Sequence, residues 1–218
     1  MRALIIANGT GRSRRQLQRL ARSADLVIAA DGGAEVAARA GVDPHILIGD
    51  MDSVTLATRA RLEAHGTDVR AVPPEKDQTD AELALEIAAG RGASEVWLAA
   101  AWGGRVDHAV ANLLLVFLAR QLGVRLCLID GRSEAYLTDG PFVVDARVGH
   151  LVSLIPLSPV VEGITTVGLR YPLRDESLVR GATRGISNVV VTSPAGLSAV
   201  GAGDLLLVHT RQRLRAGG

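Results

Sequence analysis

The chain has 218 residues, 48% of them apolar and 22% charged, and its 24 Lys plus Arg against 23 Asp plus Glu leave a formal net charge of +1. That balance excludes a nucleic-acid partner gripped over the whole surface, which would need a clear basic excess, and the composition is that of an ordered globular chain. The single cysteine, Cys127 in the apolar run VRLCLID, excludes an internal disulfide and reads as a buried, inert thiol in a reducing compartment.

The first residues, MRALIIANGTG, hold an apolar stretch too short for a signal-peptide core. No run approaches the ~20 apolar residues of a membrane span, so the expectation is a cytoplasmic protein with no membrane partner. From there, short apolar runs alternate with helical patterns. Strands are predicted over 2–7, 25–30, 46–49, 68–72, 95–101 and 124–129, and helices over about 13–22, 34–40, 55–65, 80–90 and 108–121. Near-continuous apolar strands separated by helices indicate a parallel sheet covered on both faces. Gly41, Gly66, Gly90 and Gly123 follow the helical patterns as helix-stopping glycines do. Arg12, Arg14, Arg15, Arg19 and Arg22 fall on the first helix and read as a solvated face.

After about residue 133 the texture changes to short alternating runs, at 134–138, 141–145, 150–157, 160–167, 177–180, 188–193, 197–200 and 204–210, with Pro and Gly between them. Such spacing predicts a small β-sandwich or barrel. The expected fold class is therefore α/β, with an N-terminal parallel-sheet domain over 1–131 and a C-terminal β-sandwich domain over 132–218.

Ligands of an open parallel sheet bind at the carboxyl ends of its strands, and there the polar motifs converge. Strand 1 ends at Asn8 and Gly9, strand 2 at Asp31-Gly32-Gly33 and strand 3 at Asp50-Met51-Asp52; strand 4 leads into Lys76, Asp77 and Asp80, and strand 5 into Arg105 and Asp107. Each motif has a plainer reading. Thr79 with Glu82 forms a capping box that also suits Asp80, Asp107 can open the fifth helix, and Asp31-Gly32-Gly33 can be a tight turn. Asp50 and Asp52 resist such an account. In an extended segment alternate residues point to one side, with Cα atoms roughly 6.5–7 Å apart, and two carboxylates there repel unless a cation sits between them. A hard divalent ion, Mg²⁺ above all, takes oxygen ligands of this kind together with phosphate oxygens. The five histidines are scattered and form no zinc-like spacing with Cys127.

Of the 24 basic residues only Lys76 is lysine, and it falls inside the second acidic cluster. Carboxylates with one Lys and one Arg at a sheet edge suggest metal-assisted phosphoryl chemistry, with Lys76 a point charge and Arg105 a fork for phosphate oxygens. No P-loop is present, and NGTG is too short for the dinucleotide fingerprint.

The motifs ADGGA, LIGDMDSV, EKDQTDAELAL and GGRVDHAVANL, in this order, with GLRYPL and RGISN after them, resemble those of the thiamine pyrophosphokinase (thiamine diphosphokinase) family over about residues 3–209. The resemblance implies an α/β nucleotide-binding domain followed by a β-sandwich, and a homodimer with active sites at the subunit interface. It implies transfer of a diphosphoryl group from ATP to thiamine, giving thiamine diphosphate and AMP. Asp50, Asp52 and Asp80 would serve a Mg²⁺–ATP site with Asp31, Gly32 and Asp77 close by. Lys76 and Arg105 would touch phosphates, Asp107 would lie near the substrate hydroxyl or metal, and Ser187 and Asn188 would contact thiamine. Asp80 and Asp107 both remain candidates for the base. Tyr171 is either a thiazolium contact or an ordinary sandwich-core tyrosine. Met51 between the aspartates and Val189 after Ser187-Asn188 depart from the family pattern. Two other readings compete: a Mg²⁺-dependent diphosphokinase with another acceptor such as a hydroxymethylpterin, and a nucleotide-binding module without turnover.

Overall fold

The computed structural model describes residues 1–10 and 13–212, so that Arg12 lies outside the described residues. The chain divides into two compact units, Met1–Gly131 and Arg132–Gly218.

The first unit alternates β1 (Arg2–Ile6), α1 (Arg14–Arg22), β2 (Leu26–Ala30), α2 (Gly33–Ala40), β3 (Ile46–Gly49), α3 (Leu56–Ala64), β4 (Asp68–Ala71), α4 (Asp80–Gly90), β5 (Glu95–Ala99), α5 (Val106–Gln121) and β6 (Arg125–Asp130). Its strands lie in the order β4-β3-β2-β1-β5-β6 and pair in parallel throughout. The central strands are buried along nearly their whole length, as their continuous apolar runs require. Leu4, Ile5, Ile6, Ile28 and Leu98 are at most 1% exposed, each contributing about 1.5–3 kcal/mol of burial. Arg14, Arg15, Arg19 and Arg22 form the solvated face expected of them. One helix stop differs from expectation. Gly90 is the last helical residue of α4, and the left-handed turn falls two residues later at Gly92, with φ of 82°.

Strand order reverses between β1 and β5: the chain leaves β1 towards β2 on one side and returns to β5 on the other. Such a switch point leaves a crevice at the strands' carboxyl ends. Two glycines bring the surrounding backbone close. A Cβ on Gly9 would lie 2.1 Å from the Trp102 carbonyl oxygen, and one on Gly49 would lie 2.7 Å from Asp31 Cβ.

The second unit contains β7 (Ser133–Thr138), β8 (Phe142–Val144), β9 (Leu151–Pro156), β10 (Val160–Val167), β11 (Glu176–Val179), β12 (Asn188–Val189), β13 (Ala195–Ala199) and β14 (Leu205–Thr210). Antiparallel pairing gives the runs β12-β9-β14-β7 and β11-β10-β13-β8. Val152, Leu154, Leu205 and Leu207 of the first run share one core with Val161, Ile164, Leu178 and Leu197 of the second, the sandwich arrangement that alternating strands predict.

Within this unit two buried histidines meet, His150 Nδ1 standing 3.0 Å from His209 Nε2, with His209 only 1% exposed. Burial pushes the His209 imidazole below its ordinary range; the Glu134 carboxylate opposes this and His150 adds to it. A base whose folded pKa is depressed stabilises the fold while neutral, above its unfolded pKa of about 6.5, and that stability is lost as pH falls below it. Thermal unfolding followed from pH 7.5 to 5.5 should therefore show a falling Tm, and His209→Gln should flatten the slope. Gly49→Ala should lower stability and loosen the carboxylates beside it, measured as a lower Tm and weaker divalent-ion binding.

Candidate active site

A cavity of about 500 Å³ lies within the first unit at the switch point, lined by the ends of β1 (Asn8, Gly9), β2 (Asp31), β3 (Asp50, Asp52) and β5 (Ala100, Ala101), the start of α4 and the loop into α5. Its size is that of a small-ligand pocket. The expected convergence at this edge is thus present for Asp31, Asp50, Asp52, Lys76, Asp80 and Arg105, all of which line it.

The carboxylates meet by a different route from the one alternation suggests. Asp50-Met51-Asp52 is a turn, not an extended segment: Met51 has a φ of 71°, and the Asp52 N–H donates to Asp50 Oδ1 at 3.2 Å. Strand β3 stops at Gly49, and the left-handed step at Met51 curls the second aspartate back towards the first. The Met51 side chain leaves the site and packs, with Val54, on Ala29, Ala34, Leu47 and Leu62. Asp31 also holds a left-handed conformation, with φ of 43°, and its N–H donates to the Ile48 carbonyl at 2.8 Å.

The outcome is a group of three, Asp31, Asp50 and Asp52, each presenting one oxygen within 4.8 Å of the others. The tightest grouping among the described residues therefore contains Asp31 where Asp80 was expected. Asp31 Oδ1 is buried without a hydrogen-bond partner. An orphaned carboxylate oxygen beside two further carboxylates is a donor set suited to a hard cation, and Asp80 Oδ1 close by is likewise buried without a hydrogen-bond partner.

Asp80 faces Lys76. Lys76 Nζ lies 3.2 Å from Asp80 Oδ1 and 4.0 Å from Asp50 Oδ2, and its side chain is only 14% exposed. Thr79 caps α4, its Oγ1 accepting from the Glu82 N–H at 3.2 Å, which places Asp80 in the first turn and aims it inward. Burial pushes the Asp80 carboxyl above its ordinary range, Asp31 and Asp50 add repulsion, and Lys76 opposes both.

Asp107 is engaged elsewhere. It is exposed and ion-paired with Arg105 at 2.5 Å, and that guanidinium holds its carboxyl down at about 2. Asp107 and Asp77 do not line the cavity, and Asp77 is exposed. Gly32 is buried against Asn8, whose Nδ2 would lie 2.2 Å from a Cβ at that position. Asn112 was missed from the sequence. It lines the cavity and donates from Nδ2 to the Ala101 carbonyl at 2.9 Å, fixing α5 to the end of β5. Its signal was a polar residue on the helix face that otherwise buries Leu115, Val116 and Ala119.

In the second unit Tyr171 is 67% exposed, so the sandwich-core reading of it fails. Asn188 is buried, and its amide is committed to Tyr171: Oδ1 accepts from the Tyr171 N–H at 3.0 Å and Nδ2 donates to the Tyr171 carbonyl at 2.6 Å. Asn188 thus ties the GLRYPL turn to β12 and leaves the tyrosine ring facing solvent. Ser187 is exposed, with φ of 59°, and its N–H donates to Ser153 Oγ.

Comparison with known proteins shows the family. A family model described as "Thiamin pyrophosphokinase, catalytic domain" matches residues 17–128, and one described as "Thiamin pyrophosphokinase, vitamin B1 binding domain" matches 143–197. The chain belongs to the thiamine pyrophosphokinase family. The thiamine pyrophosphokinase of Bacillus subtilis is 29% identical over 187 residues, covering 85% of this chain and 87% of that one. The crystal structure of thiamine pyrophosphokinase from Bacillus subtilis superposes with a TM-score of 0.84 at 28% identity, over 96% of this chain and 99% of the other. The Geobacillus thermodenitrificans structure gives 0.80 at 25% identity, over 97% and 98%. A Candida albicans thiamin pyrophosphokinase structure, 16% identical, shares the fold with a TM-score of 0.77 over 97% of this chain and 89% of the other. Pyrophosphorylation of thiamine is accordingly the activity, with a nucleotide as the second substrate. Among the described residues no helix is long and apolar enough to cross a membrane.

For a thiamine pyrophosphokinase the cavity explains where negative charge is managed. Three carboxylates this close cost free energy until a cation binds. Asp52→Asn should raise the Tm of the metal-free protein and remove most of the Tm rise that a divalent ion confers. For the unaltered chain that rise corresponds to about 2.7 kcal/mol at a hundredfold excess over Kd, read by calorimetry with and without the ion.

Proposed function

We propose that the chain transfers the diphosphoryl group of ATP to the hydroxyethyl group of thiamine, releasing AMP, at the cavity of the first unit. The observation that carries this reading is the Asp31, Asp50, Asp52 trio with its orphaned oxygen, beside Lys76, whose Nζ lies 4.0 Å from Asp50 Oδ2. The trio would hold Mg²⁺, with Asp80 beside it across Lys76. Bound there, the ion supplies charge neutralisation for the triphosphate.

The remaining work falls to the chain's own groups. Lys76, poised between Asp50 and Asp80, offers a point charge to a non-bridging phosphate oxygen. Arg105 at the cavity rim offers a fork for another. The thiamine alcohol oxygen bonds to the β-phosphorus, the bond from that phosphorus to the α–β bridging oxygen breaks, and the bridging oxygen leaves on AMP. The alcohol proton needs an acceptor inside the cavity. Asp80, raised by burial, suits that role; Asp107, held at about 2 by Arg105, is too weak a base. Catalysis is otherwise positioning and electrostatics.

The second unit, which the vitamin B1 binding model matches, carries the groups proposed to contact thiamine. Ser187 and the exposed Tyr171 ring face solvent, the ring suits the thiazolium cation, and Asn188 fixes the backbone from which the ring projects. Asp77, exposed and outside the cavity lining, has no part in this reading, and Gly32 shapes the Asn8 side of the nucleotide site. The protein works in the cytoplasm as a homodimer with active sites at the subunit interface.

Thiamine, ATP and Mg²⁺ should yield AMP and thiamine diphosphate, resolved by anion-exchange chromatography; ADP in place of AMP overturns the reading. Asp80→Asn should cost about 10²–10⁴ in kcat, while Asp107→Asn should keep kcat within about tenfold. Sedimentation at micromolar concentration should return a species of twice the 22.8 kDa chain mass, and a monomer alone removes the dimer.

A further inference from the structure

The mechanism leaves Glu35 unused, although it is the acid nearest in sequence to the trio that makes no contribution to it. Glu35 lies in the first turn of α2, four residues after Asp31. Its Oε1 accepts both the backbone N–H and the Oγ1 hydroxyl of Thr55, each at 2.9 Å. Thr55 stands three residues after Asp52 and is itself the N-cap of α3, its Oγ1 accepting from the Thr58 N–H at 3.2 Å. One carboxylate therefore joins the first turn of α2, which follows Asp31, to the N-cap of α3, which follows Asp52. On the strand side the ends of β2 and β3 are already joined by the Asp31 N–H to Ile48 carbonyl bond. With the Glu35 contact the loops after β2 and β3 are tied at both ends of the gap between them.

Both loops need such a tie. Their three carboxylates repel one another. Met51 also occupies the left-handed region, which costs a residue with a Cβ about 1–2 kcal/mol. Apolar packing of Met51 and Val54 on Ala29, Ala34, Leu47 and Leu62 holds the Asp50–Val54 turn from below. Glu35 holds it at its exit. Burial pushes the Glu35 carboxyl up, but the Thr55 and Thr58 bonds and the Arg39 charge outweigh this, so that it stays ionised and a strong acceptor.

We infer that Glu35 is a positioning residue for the metal site: by bonding Thr55 it holds the Asp50–Asp52 turn against Asp31, and so sets the affinity of the trio for a divalent ion without touching that ion. This rests on the metal reading of the trio given above. Groups that hydrogen-bond a metal ligand directly are worth about 10–100-fold in metal affinity; Glu35 acts one step further out, through Thr55.

The test is a Mn²⁺ titration of the purified full chain, read from the EPR signal of the free ion and repeated with an ATP analogue whose α–β bridge cannot be cleaved. Glu35→Ala should weaken Mn²⁺ binding about tenfold or more. Glu35→Gln, which keeps the acceptor oxygen, should stay within about threefold of wild type. Glu35→Asp keeps the charge but falls one methylene short of Thr55; it should weaken binding as the alanine does, and it stands in should the alanine variant not fold. Leu17→Ala, a truncation of a buried α1 residue, should lower Tm yet keep wild-type Mn²⁺ affinity. Wild-type affinity in both Glu35→Ala and Glu35→Asp overturns the inference alone, as does an equal loss of affinity in Leu17→Ala. A wild-type chain that binds no Mn²⁺ overturns the metal reading, and the brace with it.

Discussion

Mutual repulsion among Asp31, Asp50 and Asp52 is the constraint around which the first unit is organised. Three carboxylate oxygens within 4.8 Å of one another are tolerated only where the backbone leaves them no freedom to part. The means are visible residue by residue. Gly49 carries no Cβ, so Asp31 comes within 2.7 Å of where one would stand. The Asp52 N–H closes on Asp50, and the Met51 side chain is sunk in an apolar pocket of α2, α3, β2 and β3 residues. The hydrophobic core thus stabilises a polar arrangement that would disperse on a flexible loop.

Charge is arranged asymmetrically around this centre. The one lysine of the chain is drawn in between Asp50 and Asp80 and is largely shielded from water, where a point charge acts with least screening. The rim arginine, by contrast, is exposed and shares itself with Asp107. The two carboxylates that the sequence left equal as bases are therefore unequal in the fold. Asp80 is desolvated beside other acids and rises, whereas Asp107 is solvated beside a guanidinium and falls. The second unit repeats the theme of indirect action on a smaller scale. Asn188, which by its motif reads as a ligand contact, spends its amide on the Tyr171 backbone.

Much of this was legible from residue order. Continuous apolar runs separated by helical spacing gave six parallel strands and five helices with ends within about two residues, because a strand buried on both faces has no room for polar alternation. Alternation after residue 133 gave the antiparallel unit for the converse reason. The acidic and basic motifs were legible because the carboxyl ends of parallel strands are brought to one edge whatever their separation along the chain. Asn112 and Glu35 were not. Each sits in a helix among ordinary helical residues, and its importance lies in a hydrogen bond to a segment 11 or 20 residues away.

The sequence by itself determined the class of the fold, the edge at which the chemistry gathers, the family, and which residue types meet there, since these follow from periodicity and motif order. Only the tertiary structure decided that Asp31 rather than Asp80 completes the trio, that Asp50 and Asp52 converge through a left-handed turn, that Tyr171 is exposed, and that Asp107 is spoken for by Arg105. For the carboxylate trio the physical reason is local. Side-chain direction at a strand end depends on a single φ angle and on which neighbour's backbone approaches it, and neither is encoded in the spacing of residues along a chain.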